Sequence, residues 1–123
     1  MDDEKSIRDI YKKILTILGY QISLASNGEE AINLCRTLAN EGGNFSVAVL
    51  DLTIPGGKGG KETIKELKKI DPNIKSIAVS GYTNDPILIK HKEYGFDAVV
   101  TKPFKVHDLS SIIQKLVRKR ADK

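Results

Sequence analysis

The chain has 123 residues, of which 40% are hydrophobic and 29% charged, and its formal net charge is +4. This length and composition indicate one globular domain and exclude disordered and fibrous classes of protein. No apolar run approaches the roughly 18 residues of a membrane span, and the acidic start is not a secretory signal, so we expect a cytoplasmic protein. The single cysteine, Cys35, is predicted to be a buried small hydrophobe.

The sequence alternates helical and strand-like patterns along its length. Apolar residues at helical spacing followed by Gly19 predict a first helix over 5–18. By the same reasoning, further helices are predicted from 28 to about 39 and over 62–69, 83–94 and 108–120, and strands over 21–25, 47–50, 77–80 and 98–101. This alternation predicts a parallel sheet with right-handed crossovers in a three-layer α/β sandwich.

Functional groups follow three of the predicted strands. Asp51 ends the apolar run 47–50, Ser80 ends the next strand, and Lys102 follows the last one. The carboxyl ends of parallel strands share one edge of the sheet, where ligands collect, so we expect these side chains to lie together. Taken alone, Asp51 would more often be a residue that caps a turn.

The acidic pair Asp2 and Asp3 precedes the first helix and could join this edge. Carboxylate oxygens suit Mg²⁺, which keeps several waters that a phosphate can displace. An ammonium and a hydroxyl supply the charge and hydrogen bond that a phosphoryl group needs. The combination predicts phosphoryl transfer onto a carboxylate.

At this point the chain resembles a known family, the receiver domains of two-component response regulators. The matching motifs are Asp2-Asp3, D-L-T-I-P-G-G-K-G from Asp51, Ser80-Gly81 and Lys102-Pro103-Phe104. The sequences of these motifs are most similar to those of receiver modules in hybrid sensor histidine kinases. The resemblance covers the whole chain and implies a flavodoxin-like sheet with strand order 2-1-3-4-5.

The resemblance also implies roles for individual residues. Asp51 would be the phosphoacceptor, and Mg²⁺ would be held by Asp2, Asp3, Asp51 and the carbonyl of Thr53. Ser80 and Lys102 would contact the phosphoryl oxygens.

The implied output is a switch. Phosphorylation would change the surface of the fourth helix, fifth strand and fifth helix. The lysine is expected to precede a cis peptide bond at Pro103. Val99 occupies the position of the family's aromatic switch residue, so coupling through that side chain is expected to be weak.

The chain departs from the family at its start, because Met1 directly precedes the acidic pair where the family has an apolar strand. We therefore expect a single receiver domain over 1–123 that lacks the first strand and has four strands per chain. Either the sequence is truncated before Asp2, or a rearranged sheet or a homodimer formed by strand exchange compensates.

The implied partner is a sensor histidine kinase or a histidine phosphotransferase, with an unknown downstream target and no membrane. We expect a domain that catalyses its own phosphorylation and dephosphorylation rather than an enzyme that turns over an external substrate. A degenerate docking module is one alternative. A phosphatase of the haloacid-dehalogenase type is a weaker one, because Thr53 stands where that family has its second acid. Nucleic-acid binding ranks last, since it rests only on the basic tail.

Overall fold

The computed structural model describes residues 1–81 and 86–121, excluding the side chains of 119–121. In this part of the chain, helices and strands alternate after an initial helix. The elements are α1 (Lys5–Ile17), α2 (Gly28–Asn40), β1 (Val47–Asp51), α3 (Gly60–Ile70), β2 (Lys75–Ser80), α4 (Ile87–Lys90), β3 (Ala98–Thr101) and α5 (Val106–Ala121). None of the helices described is long and apolar enough to cross a membrane.

The three strands form a parallel sheet in the order β1-β2-β3. Asp51 at the end of β1 pairs with Val79, and Ser80 at the end of β2 pairs with Thr101. The strands therefore end at nearly the same level, and Lys102 follows directly. β2 lies between the other two strands, and its residues from 76 to 80 are all buried.

Two apolar clusters cover the two faces of the sheet. One joins Leu50 of β1 and Ala78 of β2 to residues of α2 and α3. The other joins Ile77 of β2 and Val100 of β3 to residues of α1 and α5. Neighbouring residues of a strand point to opposite faces, so Ile77 and Ala78 contribute to different clusters. The predicted three-layer sandwich is confirmed.

The prediction of four strands is wrong for the part of the chain that the structure describes. Residues 21–25 run alongside the sheet without forming a strand. Their one backbone hydrogen bond to another segment joins the Asp2 amide to the Ala25 carbonyl at 3.0 Å. A strand exists only where a neighbour completes its ladder, and among the described residues Asp2 is the one that forms such a backbone hydrogen bond to 21–25.

The fourth helix is shorter than predicted. It spans Ile87–Lys90 and is followed by turns as far as Gly95. The predicted helix start at residues 83–85 lies outside the described residues. The apolar pattern of this segment is weak, and Ile89 is 86% exposed, so little packing energy supports a longer helix.

Candidate functional site

The site lies at the carboxyl edge of the sheet and is centred on Asp51. The residue is 3% exposed, because helices cover both faces of the strand that carries it. Its Oδ1 accepts a hydrogen bond from the Thr53 amide at 3.1 Å, which fixes the carboxylate against the turn that follows. Its Oδ2 accepts a hydrogen bond from Lys102 Nζ at 3.1 Å.

Lys102 joins two buried carboxylates. Its Nζ lies 2.8 Å from Asp2 Oδ2 as well as 3.1 Å from Asp51 Oδ2. The lysine reaches this position from the end of β3, where its backbone amide donates to the Ser80 carbonyl at 2.7 Å. The Lys102–Pro103 peptide bond is cis, as expected. One ammonium thus faces two carboxylates.

These contacts change the acid–base behaviour of the pair. Burial raises the pKa of Asp51, and the Thr53 amide and the Lys102 ammonium oppose this increase without cancelling it. Burial lowers the pKa of Lys102, but its hydrogen bonds to Asp2 and Asp51 outweigh that effect, so the pKa is raised overall. The lysine is therefore a fixed positive charge at neutral pH.

Asp2 is fully buried although it is the second residue of the chain. Its amide donates to Ala25 O at 3.0 Å, and its carbonyl accepts from Arg8 Nη1 at 2.9 Å. Its Oδ1 also accepts from the Glu4 amide at 3.0 Å. The backbone on both sides of this carboxylate is thus held in place. Asp3 is exposed, and the structure brings a carboxylate oxygen from each of Asp2, Asp3 and Asp51 within 4.8 Å of the others.

This donor set fits a hard divalent cation, because three carboxylates converge and no sulfur or imidazole ligand is among them. Thr53 is exposed next to the cluster. Ser80 is 1% exposed at the end of β2, beside the strand that carries Asp51. Val99 is half-buried on β3 and packs against the cluster that contains Leu50.

Two residues near the site were not predicted from the sequence. Arg8 lies in the first turn of α1, and its spacing from the acidic pair could have indicated a contact. Tyr11 is 3% exposed and stacks on Phe104 with ring centroids 5.7 Å apart. No described residue hydrogen-bonds to its hydroxyl. Burial, followed by the charges of Asp2 and Asp51, raises the Tyr11 pKa, so its hydroxyl stays protonated.

A parallel α/β sandwich with a buried carboxylate, a paired lysine and an acidic cluster at its strand ends defines a phosphoacceptor class of signalling domain. The family model described as "Response regulator receiver domain" matches residues 1–114. The chain belongs to this family, and the predicted flavodoxin-like receiver fold is confirmed. Receiver domains of two-component response regulators accept phosphoryl groups and interact with histidine kinases or phosphotransferases.

Individual relatives agree with this assignment. The chain is 30% identical over 117 residues to the chemotaxis protein CheY of Thermotoga maritima, covering 94% of this chain and 92% of that protein. It is 37% identical over 123 residues to the probable transcriptional regulator ycf27 of Porphyra purpurea, covering all of this chain and 47% of that protein. The chain thus spans about half the length of the ycf27 relatives.

A solved structure shows the same fold. The CheY-like receiver domain protein from Methanospirillum hungatei superimposes with a TM-score of 0.86 at 26% identity, covering 98% of this chain and 92% of that one.

Proposed function

We propose that Asp51 is the phosphoacceptor of this receiver domain and takes its phosphoryl group from a phosphohistidine of a sensor kinase or a histidine phosphotransferase. One observation carries the proposal: the buried Asp51 carboxylate shares the Lys102 ammonium with a second buried carboxylate, Asp2. The alternative of a phosphatase is not supported, because the family match covers nearly the whole chain.

In the proposed reaction, an oxygen of Asp51 attacks phosphorus while the bond from phosphorus to the histidine nitrogen breaks. The imidazole leaves, and an acyl phosphate forms on Asp51. Such transfer depends mainly on positioning and on stabilisation of charge. The Thr53 amide and Lys102 provide positioning, since each holds a different oxygen of the carboxylate.

Lys102 provides charge stabilisation as well. Once Asp51 carries a phosphoryl group, the ammonium can exchange its contact with Asp51 for one with a phosphoryl oxygen while it keeps Asp2 at 2.8 Å. Ser80 ends the neighbouring strand and is the hydroxyl that we assign to a second phosphoryl oxygen. Asp2, Asp3, Asp51 and the Thr53 carbonyl would hold Mg²⁺, which supplies positive charge to the phosphoryl oxygens when bound.

Phosphorylation adds a charge of about −1.5 to −2 at a site that is almost fully buried. We propose that Lys102 and Ser80 respond to this charge. Both are connected to β3. Ser80 pairs with Thr101 of β3, and its carbonyl accepts a hydrogen bond from the amide of Lys102, which directly follows that strand. The change would thus reach the surface formed by α4, β3 and α5. Val99 on β3 is too small to act as an aromatic switch, so the backbone would carry the coupling.

Intact-mass spectrometry after incubation with acetyl phosphate tests the assignment. We expect the wild-type chain to gain the mass of one phosphoryl group with Mg²⁺ and none with EDTA. Asp51→Asn should gain nothing, and Lys102→Met should gain far less. Lys69→Met removes an exposed ammonium whose partner is Glu66 and should behave as the wild type.

A folded wild-type chain that gains no mass under these conditions would contradict the proposal. It would favour the alternative of a docking module that is not phosphorylated. A gain that survives Asp51→Asn would move the phosphoacceptor to another residue.

A further inference from the structure

A small pocket opens between the start of α3 and the start of α4, on the face of the sheet that α2 and α3 cover. Its volume is about 180 Å³. The described residues that line it are Leu52, Lys61, Glu62, Pro86, Ile87 and Tyr94. Ile87 is 5% exposed and belongs to the apolar cluster of this face, and Tyr94 packs against the same cluster. Small-molecule sites usually occupy about 300 to 1,000 Å³, so this pocket has room for one aliphatic side chain rather than for a cofactor.

The ammonium of Lys61 lies at the aromatic wall of this pocket. Its Nζ is 4.9 Å from the centroid of the Tyr94 ring, within the range of a cation–π contact. Glu62 also lines the pocket, and its Oε2 lies toward the start of α3, where it would be 3.7 Å from a Cβ at Gly59. That position suits a carboxylate, because the amides of the first helical turn carry partial positive charge. Among the described residues, none forms a salt bridge with Lys61, so this ammonium has no counter-ion there.

Lys61 is the first of three lysines on one side of α3. Lys65 and Lys68 follow it at the spacing of a single helix face, and we call these three residues the basic stripe. The stem of Lys68 packs beside Gly95, since a Cβ at that glycine would lie 3.5 Å from Lys68 Cε. The basic stripe thus runs along the turn that contains Tyr94 and Gly95. Its length is about 10 Å, which roughly three residues of an extended peptide also span.

The basic stripe lacks carboxylate partners in the part of the chain that the structure describes. Of the four lysines of α3, only Lys69 forms a salt bridge with a described residue, Glu66. Lys65 is exposed, and Lys68 is half-buried. α3 and residues 87–95 together contain six lysines and three glutamates, whereas the formal net charge of the whole chain is +4. Most of the excess positive charge therefore lies around this pocket, and a polyanion complements it.

We propose that the pocket and the basic stripe bind an acidic segment of a partner protein in an extended conformation. One aliphatic side chain of the segment enters the pocket against Leu52 and Ile87, and neighbouring carboxylates pair with the lysines of the stripe. Alternate side chains of an extended chain point the same way at intervals of about 6.6 Å, and Lys61 and Lys65 are separated by about 6 Å along the helix. Carboxylates at alternate positions therefore match successive lysines. This inference does not depend on the phosphoacceptor function.

A nucleic acid is the less suitable polyanion for this surface. Bases of single strands stack on exposed aromatic rings. The Tyr94 ring is half-buried, and the Lys61 ammonium covers one of its faces. Arginine, which binds phosphate through two parallel hydrogen bonds, is absent from residues 60–95. The apolar walls formed by Leu52 and Ile87 also suit an aliphatic side chain better than a phosphate.

Fluorescence anisotropy with dye-labelled peptides tests the proposal. The probe is the dye followed by Gly-Asp-Glu-Asp-Leu-Asp-Glu-Asp, in which acids flank the leucine on both sides so that either chain direction can bind. EDTA in the buffer prevents a metal ion from linking the peptide to the acidic cluster. We expect saturable binding of the probe. Replacement of its leucine by serine should weaken binding by about tenfold or more, because burial of one aliphatic side chain is lost.

A third peptide, in which Asn and Gln replace the acids, should not bind. No saturable binding of the acidic probe, or equal affinity of the leucine and serine peptides, would overturn the proposal.

Two variants of the chain that change its net charge equally locate the site. Lys65 lies in the middle of the basic stripe, whereas Lys12 is exposed on α1, on the other face of the sheet. Lys65→Glu should weaken binding of the probe by about tenfold or more, because an attraction becomes a repulsion. Lys12→Glu should change it by less than about threefold, because salt screens distant charges.

Neither of these lysines forms a salt bridge with a described residue, so both variants should fold, which circular dichroism checks. Equal weakening by the two variants would show non-specific attraction to a basic protein and would contradict the assignment.

A labelled oligonucleotide of about ten thymidines distinguishes the other polyanion. We expect it to bind more weakly than the acidic probe at about 0.15 M salt. Tighter binding of the oligonucleotide that Lys65→Glu abolishes would show that the basic stripe is a nucleic-acid site and would replace the proposal.

Discussion

At the residue scale, burial of the charged Asp51 carboxylate lowers the free energy of unfolding. Burial raises its pKa above the ordinary value of 3.8. The folded state therefore binds this proton more tightly than the unfolded state, so the contribution of Asp51 to stability falls as pH rises through the window between its unfolded and folded pKa values. At neutral pH the carboxylate is charged, and its burial has its full destabilising effect on the folded state.

Asp51→Asn keeps the shape of the side chain and removes its charge. We therefore expect its free energy of unfolding at pH 7 to be equal to or higher than that of the wild type, by on the order of 1 kcal/mol. Its stability should also fall less than that of the wild type as pH rises from 4 to neutral. Urea unfolding followed by circular dichroism at several pH values measures both effects. A variant clearly less stable than the wild type at pH 7 would show that the Lys102 contact outweighs burial.

Lys102 has the opposite effect, because it neutralises two buried carboxylates. Lys102→Met would leave Asp2 and Asp51 facing each other without a cation, and we expect a loss of about 2 kcal/mol at pH 7. This figure lies below the range for fully buried pairs because Lys102 is 21% exposed. The loss should shrink at acidic pH, where the carboxylates are protonated.

Urea unfolding again provides the measurement. Lys69→Met serves as the control, since its pair with Glu66 is largely exposed and should contribute little. Equal free energies of unfolding for the two variants would contradict the stabilising role of Lys102 between Asp2 and Asp51.

At the element scale, α2 and the loop before α3 meet at Gly28. The Gly28 amide donates to Lys58 O at 3.0 Å, and a Cβ at Gly28 would lie 2.2 Å from Thr63 Oγ1 and 2.6 Å from Lys58 O. This contact holds the start of α2 against the glycine-rich loop that follows Asp51.

Gly28→Ala should lower the free energy of unfolding by about 1 to 3 kcal/mol, because the methyl group forces these segments apart. Gly57→Ala in the same loop is the control, since its nearest neighbour would be Ile54 Cγ2 at 3.3 Å. Thermal unfolding of both variants gives the comparison. Similar melting temperatures would mean that the loop moves aside without cost.

The elements also show what the sequence could predict. Asp51, Ser80 and Lys102 were predicted to meet because the rule for parallel strand ends needs only the strand positions. Residues 21–25 were predicted as a strand from local pattern, but a strand requires a neighbour, and local pattern cannot report on one. The burial of Asp2 could not be predicted from local pattern either, since it depends on contacts with Ala25 and Arg8 across the fold.

At the scale of the whole molecule, stability should differ between the two sides of the sheet. Ile77, Ala78 and Val79 of β2 are fully buried between β1 and β3. Residues 21–24 line a cleft beside β1 and make no backbone hydrogen bond to another described segment. Opening of the cleft side should therefore cost much less free energy than global unfolding.

Hydrogen exchange followed by mass spectrometry measures this difference. We expect amides of 21–24 to exchange orders of magnitude faster than those of Ile77–Val79, at a rate that is nearly independent of low denaturant concentrations. Equal protection on the two sides would mean that the cleft closes in solution.

The measurement that tests the central claim most directly is identification of the residue that carries the phosphoryl group. The chain is treated with acetyl phosphate and Mg²⁺, the acyl phosphate is reduced with borohydride, and the product is digested and sequenced by tandem mass spectrometry. Reduction converts a phosphorylated aspartate to homoserine. The account predicts homoserine at position 51 and at no other aspartate. Homoserine at Asp2 or Asp3, with position 51 unchanged, would contradict it.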